Sequence, residues 1–539
     1  MSGSITLENR FGVNKMELIS LKYAIFVIVL LVLYYCFPKK YRWYVLLAGS
    51  MAYYVIICKW YVLFIIFTIC TTYGSTIWID KLLKEQNAIV KSHKEDWDRQ
   101  TRKEYKEKGR KKRVAVMLFA LLCNFGILAF LKYIPYAGEL GLLLPLGISF
   151  YTFQSMGYVM DVYREIVEPE KNFLKVALFV SFFPQIIQGP IAIYDKLAGQ
   201  LYEGHSPRLE NLQKGALLVL WGVMKKLVIA DRAVNIINFV MDKPMDFSGT
   251  YVFFAAVVYA LQLYADFSGG IDIVRGIAEM FGITMSTNFN HPYFSRSLTE
   301  YWHRWHMTLG DWCRNYIFYP LSISKRFLNF GKWLKPRFGA HISKVLPGCI
   351  ASVITFIVIG VWHGANMKYL YFGLWNGIVI MLAELFAPVN KKVAGGFFKL
   401  TGLREKGIFA TIVSVLWTFM LILVGYYFDI AENASTAFHM LFKSVTDFHI
   451  SELGINNIIL NLGACGLDEY DIFLLIICTL LWFFISFVEE NKKLDMRDFI
   501  LSRKLPLRWA IIYLGIFIVI IFGYYGPGVN PADFVYMQF

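Results

Sequence analysis

Long apolar runs separated by short polar breaks recur from residue 24 to residue 525. AIFVIVLLVLYYCF (24–37), VAVMLFALLCNFGILAFL (114–131), VITFIVIGVW (353–362), IVSVLWTFMLILVGYYF (412–428), IFLLIICTLLWFFISFV (472–488) and WAIIYLGIFIVIIFGYY (509–525) contain no Asp, Glu, Lys or Arg. About 20 apolar residues in a helix cross the hydrocarbon core of a bilayer. A helix also bonds its own backbone groups, which lipid cannot do. The pattern predicts an all-α polytopic membrane protein with about 11–13 transmembrane or re-entrant helices. The first run is too long for a signal h-region and is followed by KKYR (39–42), so it reads as a retained span.

Between about 140 and 370 the runs are broken by Pro, Gly and polar residues: LPLGISFYTFQSMGYVMDVYR (144–164), FPQIIQGPI (183–191), WGVMKKLVIADR (221–232) and LQLYADFSGGIDIVRG (261–276). Irregular backbone survives at membrane depth only when buried in protein or lining a wet cavity. Ionisable residues there, such as Asp266, Asp272, Lys225 and Lys226, mark candidate functional positions. With no internal repeat, the chain reads as one membrane domain, 1–539. Its N-terminal spans (22–131) carry a basic loop (79–113), and a core (140–380) and C-terminal spans (407–539) follow.

Composition agrees: 57% of residues are hydrophobic and 17% charged, against roughly 25% charged in soluble domains. The net charge of +15 is concentrated in connections such as KSHKEDWDRQTRKEYKEKGRKKR (91–113). That distribution speaks for topology and membrane lipid rather than nucleic acid. The positive-inside rule puts 91–113 and KKYR in the cytoplasm of a cell membrane and the N-terminus outside. The eight cysteines form no C-x-x-C pair, which argues against a disulfide framework or a zinc site.

Candidate chemistry begins at YWHRWHMTLGDW (301–312). Ser297 and Glu300 fit a capping box. A continuous helix from there places Leu298, Trp302, Trp305, Leu309, Trp312 and Tyr316 on one stripe, with His306 at its edge and Arg304 on the opposite face. A second histidine, His363, follows Trp362, with Gly364 leaving room beside the ring. Imidazoles titrate near neutrality and suit proton transfer to and from a hydroxyl. Either ring could equally be a hydrogen-bonded structural residue. A metal site is disfavoured, since no carboxylate or cysteine stands at ligand spacing.

FNHPYFSRSLTEYWHRWHMTLGDWCRNYIFYPL (289–321) and GVWHGANMKYLYFGLWNG (360–377) together resemble the signature of the membrane-bound O-acyltransferases, the MBOAT family. The broken words above and FVYMQF (534–539) resemble its bacterial polysaccharide-acetylating branch. The resemblance implies tilted spans around a thin centre, with a funnel from each side. It implies His363 as general base, with His306, or its helix, supplying a donor that stabilises an oxyanion. Trp305, Trp302, Arg304, Asp266, Ser268, Asn288, Trp362, Asn366 and Gln188 are the implied supporting or substrate-binding residues. No bound cofactor or metal is implied. An acyl thioester, acetyl-CoA foremost, is the co-substrate. The implied partners are an extracellular or cell-wall polysaccharide and an extracytoplasmic, esterase-like acetyltransferase. Relatives commonly read R-D-Y where this chain has Arg314-Asn315-Tyr316, and larger residues at Ala265 and Gly270. The rival within the family is D-alanyl transfer to teichoic acid. From another class, a transporter also explains broken helices, but paired half-sequences are lacking.

Overall fold

The computed structural model describes residues 16–401, 404, 407–454, 457, 463–526 and 534. Regular structure among them is helical, with no strand. The expected N-terminus and most of FVYMQF lie outside the described residues; Phe534 lies within them. Among the described residues, seven helical stretches, from Lys39–Ser92 to Leu505–Phe522, are long and apolar enough to cross a membrane, and a bent pair, Met367–Leu385 with Ala387–Thr401, makes up to eight. The first stretch holds two long helices, Arg42–Cys58 and Val62–Ser92, which meet at a turn where Lys59 takes φ 50°. Leu21–Cys36 and Phe173–Gln188 are shorter apolar helices. The protein is thus a multi-pass, all-α membrane protein whose apolar runs divide between full spans and shorter pieces.

The faces of these helices show which solvent they meet. Ile408–Ile430 buries Thr418, Ile422, Gly425 and Tyr426, and exposes Ile412, Val413, Leu416, Trp417 and Met420. Winding at 100° per residue puts the two sets on opposite faces. Leaving a large apolar side chain in water forfeits roughly 1.5–3 kcal/mol, so the exposed stripe belongs in lipid. Leu505–Phe522 buries none of its side chains and carries no charge after Arg508.

Two compact units divide the chain: residues 1–219 with 273–286, and residues 220–272 with 287–539. In the first unit Arg42 of KKYR is buried. Its guanidinium donates to the carbonyls of Phe37 (2.9 Å), Tyr35 (3.1 Å) and His205. The basic segment 91–113 is mostly helical, because Asp98 caps the helix Arg99–Tyr133 by accepting from the Thr101 N–H at 2.9 Å. Gly147 opens the helix Ile148–Tyr163 at φ 68°, where a Cβ would stand 2.2 Å from the Ile186 carbonyl oxygen.

In the second unit a π-helical segment, Lys225–Ala230, buries Lys225 and Lys226. Lys226 Nζ lies 2.6 Å from Asp266 and 2.8 Å from Asp231. Lys225 Nζ lies 2.7 Å from Asp272 and 2.8 Å from Ser268 Oγ. Buried charges are tolerable only when paired in this way, and here the pairing ties the π-helix to Gly249–Met280.

Candidate active site

Ser297 Oγ accepts from the Glu300 N–H at 3.1 Å, and the Glu300 carboxylate reaches back to the Arg296 N–H at 2.9 Å. The helix thus capped, Leu298–Arg304, stops after about two turns. Trp305 is extended, His306 takes φ 44° and ψ 52°, and a new helix, Met307–Cys313, begins. The single helix expected through Tyr316 is therefore broken at the histidine. Asn288 and Asn290 bridge the break. The Asn290 N–H donates to the Arg304 carbonyl at 3.0 Å, and the Met307 N–H to the Asn288 carbonyl at 2.9 Å. Asn288 Oδ1 accepts from the Thr308 N–H at 3.1 Å and from Thr308 Oγ1 at 2.8 Å. A left-handed residue other than Gly costs roughly 1–2 kcal/mol, which these bonds offset. The outcome is a fixed imidazole, 2% exposed, with the Phe267 ring nearly perpendicular to it at 4.9 Å between centroids.

The bonds also select its tautomer. His306 Nδ1 stands 3.2 Å from Asn288 Oδ1. That oxygen already accepts from a backbone N–H, so Nδ1 must carry the hydrogen and Nε2 the lone pair. Burial, and after it the neighbouring His363, lower the pKa of His306 below the usual imidazole value. The ring is neutral and its Nε2 is a hydrogen-bond acceptor.

His363 is the last residue of the helical stretch Lys325–His363, which is interrupted at Gly339 (φ 80°, ψ 177°) and turns at Gly364 into Met367–Leu385. The two helices approach closely at glycines. A Cβ on Gly360 would lie 2.2 Å from the Tyr369 carbonyl oxygen, and one on Gly373 would lie 2.4 Å from that of Phe356. Contrary to the expectation from sequence, the space beside Gly364 is not open to a substrate. The Tyr369 ring fills it, 2.5 Å from where a Cβ would stand, and stacks on His363 at 5.9 Å. Trp362, buried, lies 6.3 Å from the His306 ring and 4.9 Å from that of His363.

Both histidines line one cavity, about 530 Å³ of empty space with its open mouth included. Trp302 and Trp305 line it too, and Trp302 Nε1 donates to Asn376 Oδ1 at 3.0 Å. The other expected residues lie elsewhere. Arg304 pairs with Glu300 (2.7 Å) and Glu490 (3.0 Å), and His303 is exposed. Asp266 and Ser268 belong to the lysine cluster rather than to the cavity wall. Asn366 is exposed and caps Met367–Leu385, accepting from the Lys368 N–H at 3.0 Å. Gln188 is buried in the first unit.

Four polar lining residues escaped the sequence reading: Tyr301, Asn376, Tyr426 and Asp429. The signal for Asp429 was present, an acid closing an apolar span in GYYFDI (425–430), of the same kind that singled out Asp266.

Residues 169–335 match the model of the membrane-bound O-acyltransferase family; the match includes His306 and ends before His363. The chain is 30% identical over 315 residues to a probable alginate O-acetylase of Pseudomonas syringae pv. tomato, covering 58% of this chain and 54% of that protein. It is 29% identical over 363 residues to the peptidoglycan O-acetyltransferase of Helicobacter pylori, covering 60% and 63%. The teichoic acid D-alanyltransferase of Bacillus subtilis is 26% identical over 288 residues, 52% and 67%. The chain spans somewhat over half the length of the alginate O-acetylases it matches.

Proposed function

Residues 169–335 belong to the membrane-bound O-acyltransferase family, and from that premise we propose that the chain moves an acetyl group from a thioester to a hydroxyl of an envelope polysaccharide. The observation that carries this reading is the meeting at one cavity of His306, at the break between two short helices, and His363, at the end of Lys325–His363. Acetyl-CoA serves as donor from the cytoplasm. His363 takes the proton from the acceptor hydroxyl as its oxygen attacks the thioester carbonyl. When the tetrahedral intermediate collapses, the carbon–sulfur bond breaks and the proton passes to the leaving thiolate. A polysaccharide ester and a free thiol result. His306 does not donate to the oxyanion, contrary to the division expected from the resemblance. With Nδ1–H held on Asn288, its neutral ring offers a lone pair, so it holds a hydroxyl hydrogen in line. An extracytoplasmic esterase-like protein relays the acetyl group where the polymer cannot reach the cavity.

Ester analysis of the envelope tests this. Mass spectrometry of the wild-type strain and a deletion strain is expected to show acetyl esters lost on deletion and restored by complementation. Loss of D-alanine esters with acetyl esters intact would instead assign the D-alanyl reaction. No change in either ester would refute acyl transfer to the envelope.

A further inference from the structure

Several hydroxyl, indole and amide hydrogens at the cavity wall are spent on acceptors within the protein. Tyr293 has one hydroxyl hydrogen, given to the Ala260 carbonyl at 2.6 Å. Its contact with Tyr426 at 3.1 Å therefore uses the Tyr426 hydrogen, and the 2.7 Å contact between Tyr426 and Tyr301 uses that of Tyr301. Donation thus runs one way along the chain, from Tyr301 through Tyr426 and Tyr293 into the backbone. Trp302 Nε1 is spent on Asn376 Oδ1, and Asn376 Nδ2 donates to the Phe372 carbonyl at 2.9 Å.

Asp429 lines the same cavity. Among the described residues its carboxylate accepts one hydrogen bond, at Oδ2 from Tyr259 at 2.7 Å. The nearby Lys368 ammonium donates instead to the main-chain carbonyls of Asp429 and Ala431, each at 2.8 Å. That cation offsets the carboxylate charge, so a second cation gains little there. A neutral O–H gains a charge-assisted bond.

We propose that Asp429 binds the acceptor: its Oδ1 receives a hydroxyl hydrogen of the polyol, beside the hydroxyl that reacts, and so sets which sugar hydroxyl meets the histidines. This inference rests on the acyl-transfer reading above, and its test separates the two.

Membranes of the deletion strain carrying the full chain are given labelled acetyl-CoA and the strain's own polysaccharide, stripped of esters by base. Transfer by wild type and its loss in His363→Ala test the underlying reading alone. Given that contrast, Asp429→Asn is expected to raise the half-saturating polysaccharide concentration about fivefold or more, with a smaller change in maximal rate and none in the half-saturating acetyl-CoA concentration. Tyr259→Phe, which keeps the carboxylate and removes its anchor, is expected to raise the same quantity about twofold. An unchanged polysaccharide dependence in Asp429→Asn overturns the inference, as does a shift confined to acetyl-CoA. If Asp429→Asn does not accumulate, Tyr259→Phe decides by the same two outcomes.

Discussion

At the residue scale, His306 is a side chain whose proton is placed by its neighbours. Asn288 Oδ1 takes three hydrogen bonds, from His306 Nδ1 and both donors of Thr308, and thereby fixes the ring's tautomer as well as its direction. Replacing Asn288 by Asp keeps the geometry and adds negative charge beside Nδ1. An opposite charge favours the imidazolium, so the pKa of His306 rises and the neutral form is lost at higher pH. The acid limb of the pH–rate profile in Asn288→Asp is expected to move to higher pH than in wild type. A profile that does not move would show that the neutral form of His306 is not required. Asn288→Ala leaves the Thr308 donors buried without that partner, each at a cost of about 1–3 kcal/mol. It is expected to lower both activity and the thermal midpoint. The sequence marked both histidines, because an imidazole in an apolar passage is conspicuous. It did not reveal the tautomer, which depends on how one amide oxygen is shared among groups up to 20 residues away.

At the element scale, the site is held by a broken helix and a helical hairpin. The capping box at Ser297 was legible, and so was the buried placement of Leu298, Trp305, Leu309 and Trp312. The break at His306 was not, since its residues carry no Pro or Gly and the periodicity runs through it. Backbone bonds from Asn288 and Asn290, outside the helix, override local preference there. In the hairpin, Gly360 and Gly373 let two backbones touch. Both stand in the motif 360–377, and their role is in packing. Gly360→Val forces a branched side chain against the Tyr369 carbonyl, at a cost of roughly 1–3 kcal/mol from overpacking. It should lower the thermal midpoint in detergent and displace His363, reducing transfer. A variant with wild-type stability and rate would show that the close approach is dispensable.

At the scale of the whole molecule, the positive-inside rule predicts a cytoplasmic location for the basic helix that begins at Arg99 and for KKYR. Arg42 also has a structural task, closing carbonyls within the first unit. A Lys103→Cys variant is expected to react with a membrane-impermeant thiol reagent in inside-out vesicles and not in intact cells. Labelling in intact cells would reverse the topology and, with it, the side from which the thioester enters. Membrane class and helical architecture were legible because lipid imposes one requirement on every span. The split between full spans and short pieces was not, because apolar composition alone does not record where a helix bends or ends.

Acyl transfer in membranes carrying His363→Ala, His306→Ala and the double variant, at matched protein levels, tests the central claim most directly. Two rings acting on one reacting centre predict a loss of about 100-fold or more for each single variant and little further loss for the double, as expected of groups that work as a unit. Transfer by His363→Ala within about threefold of wild type would contradict the account.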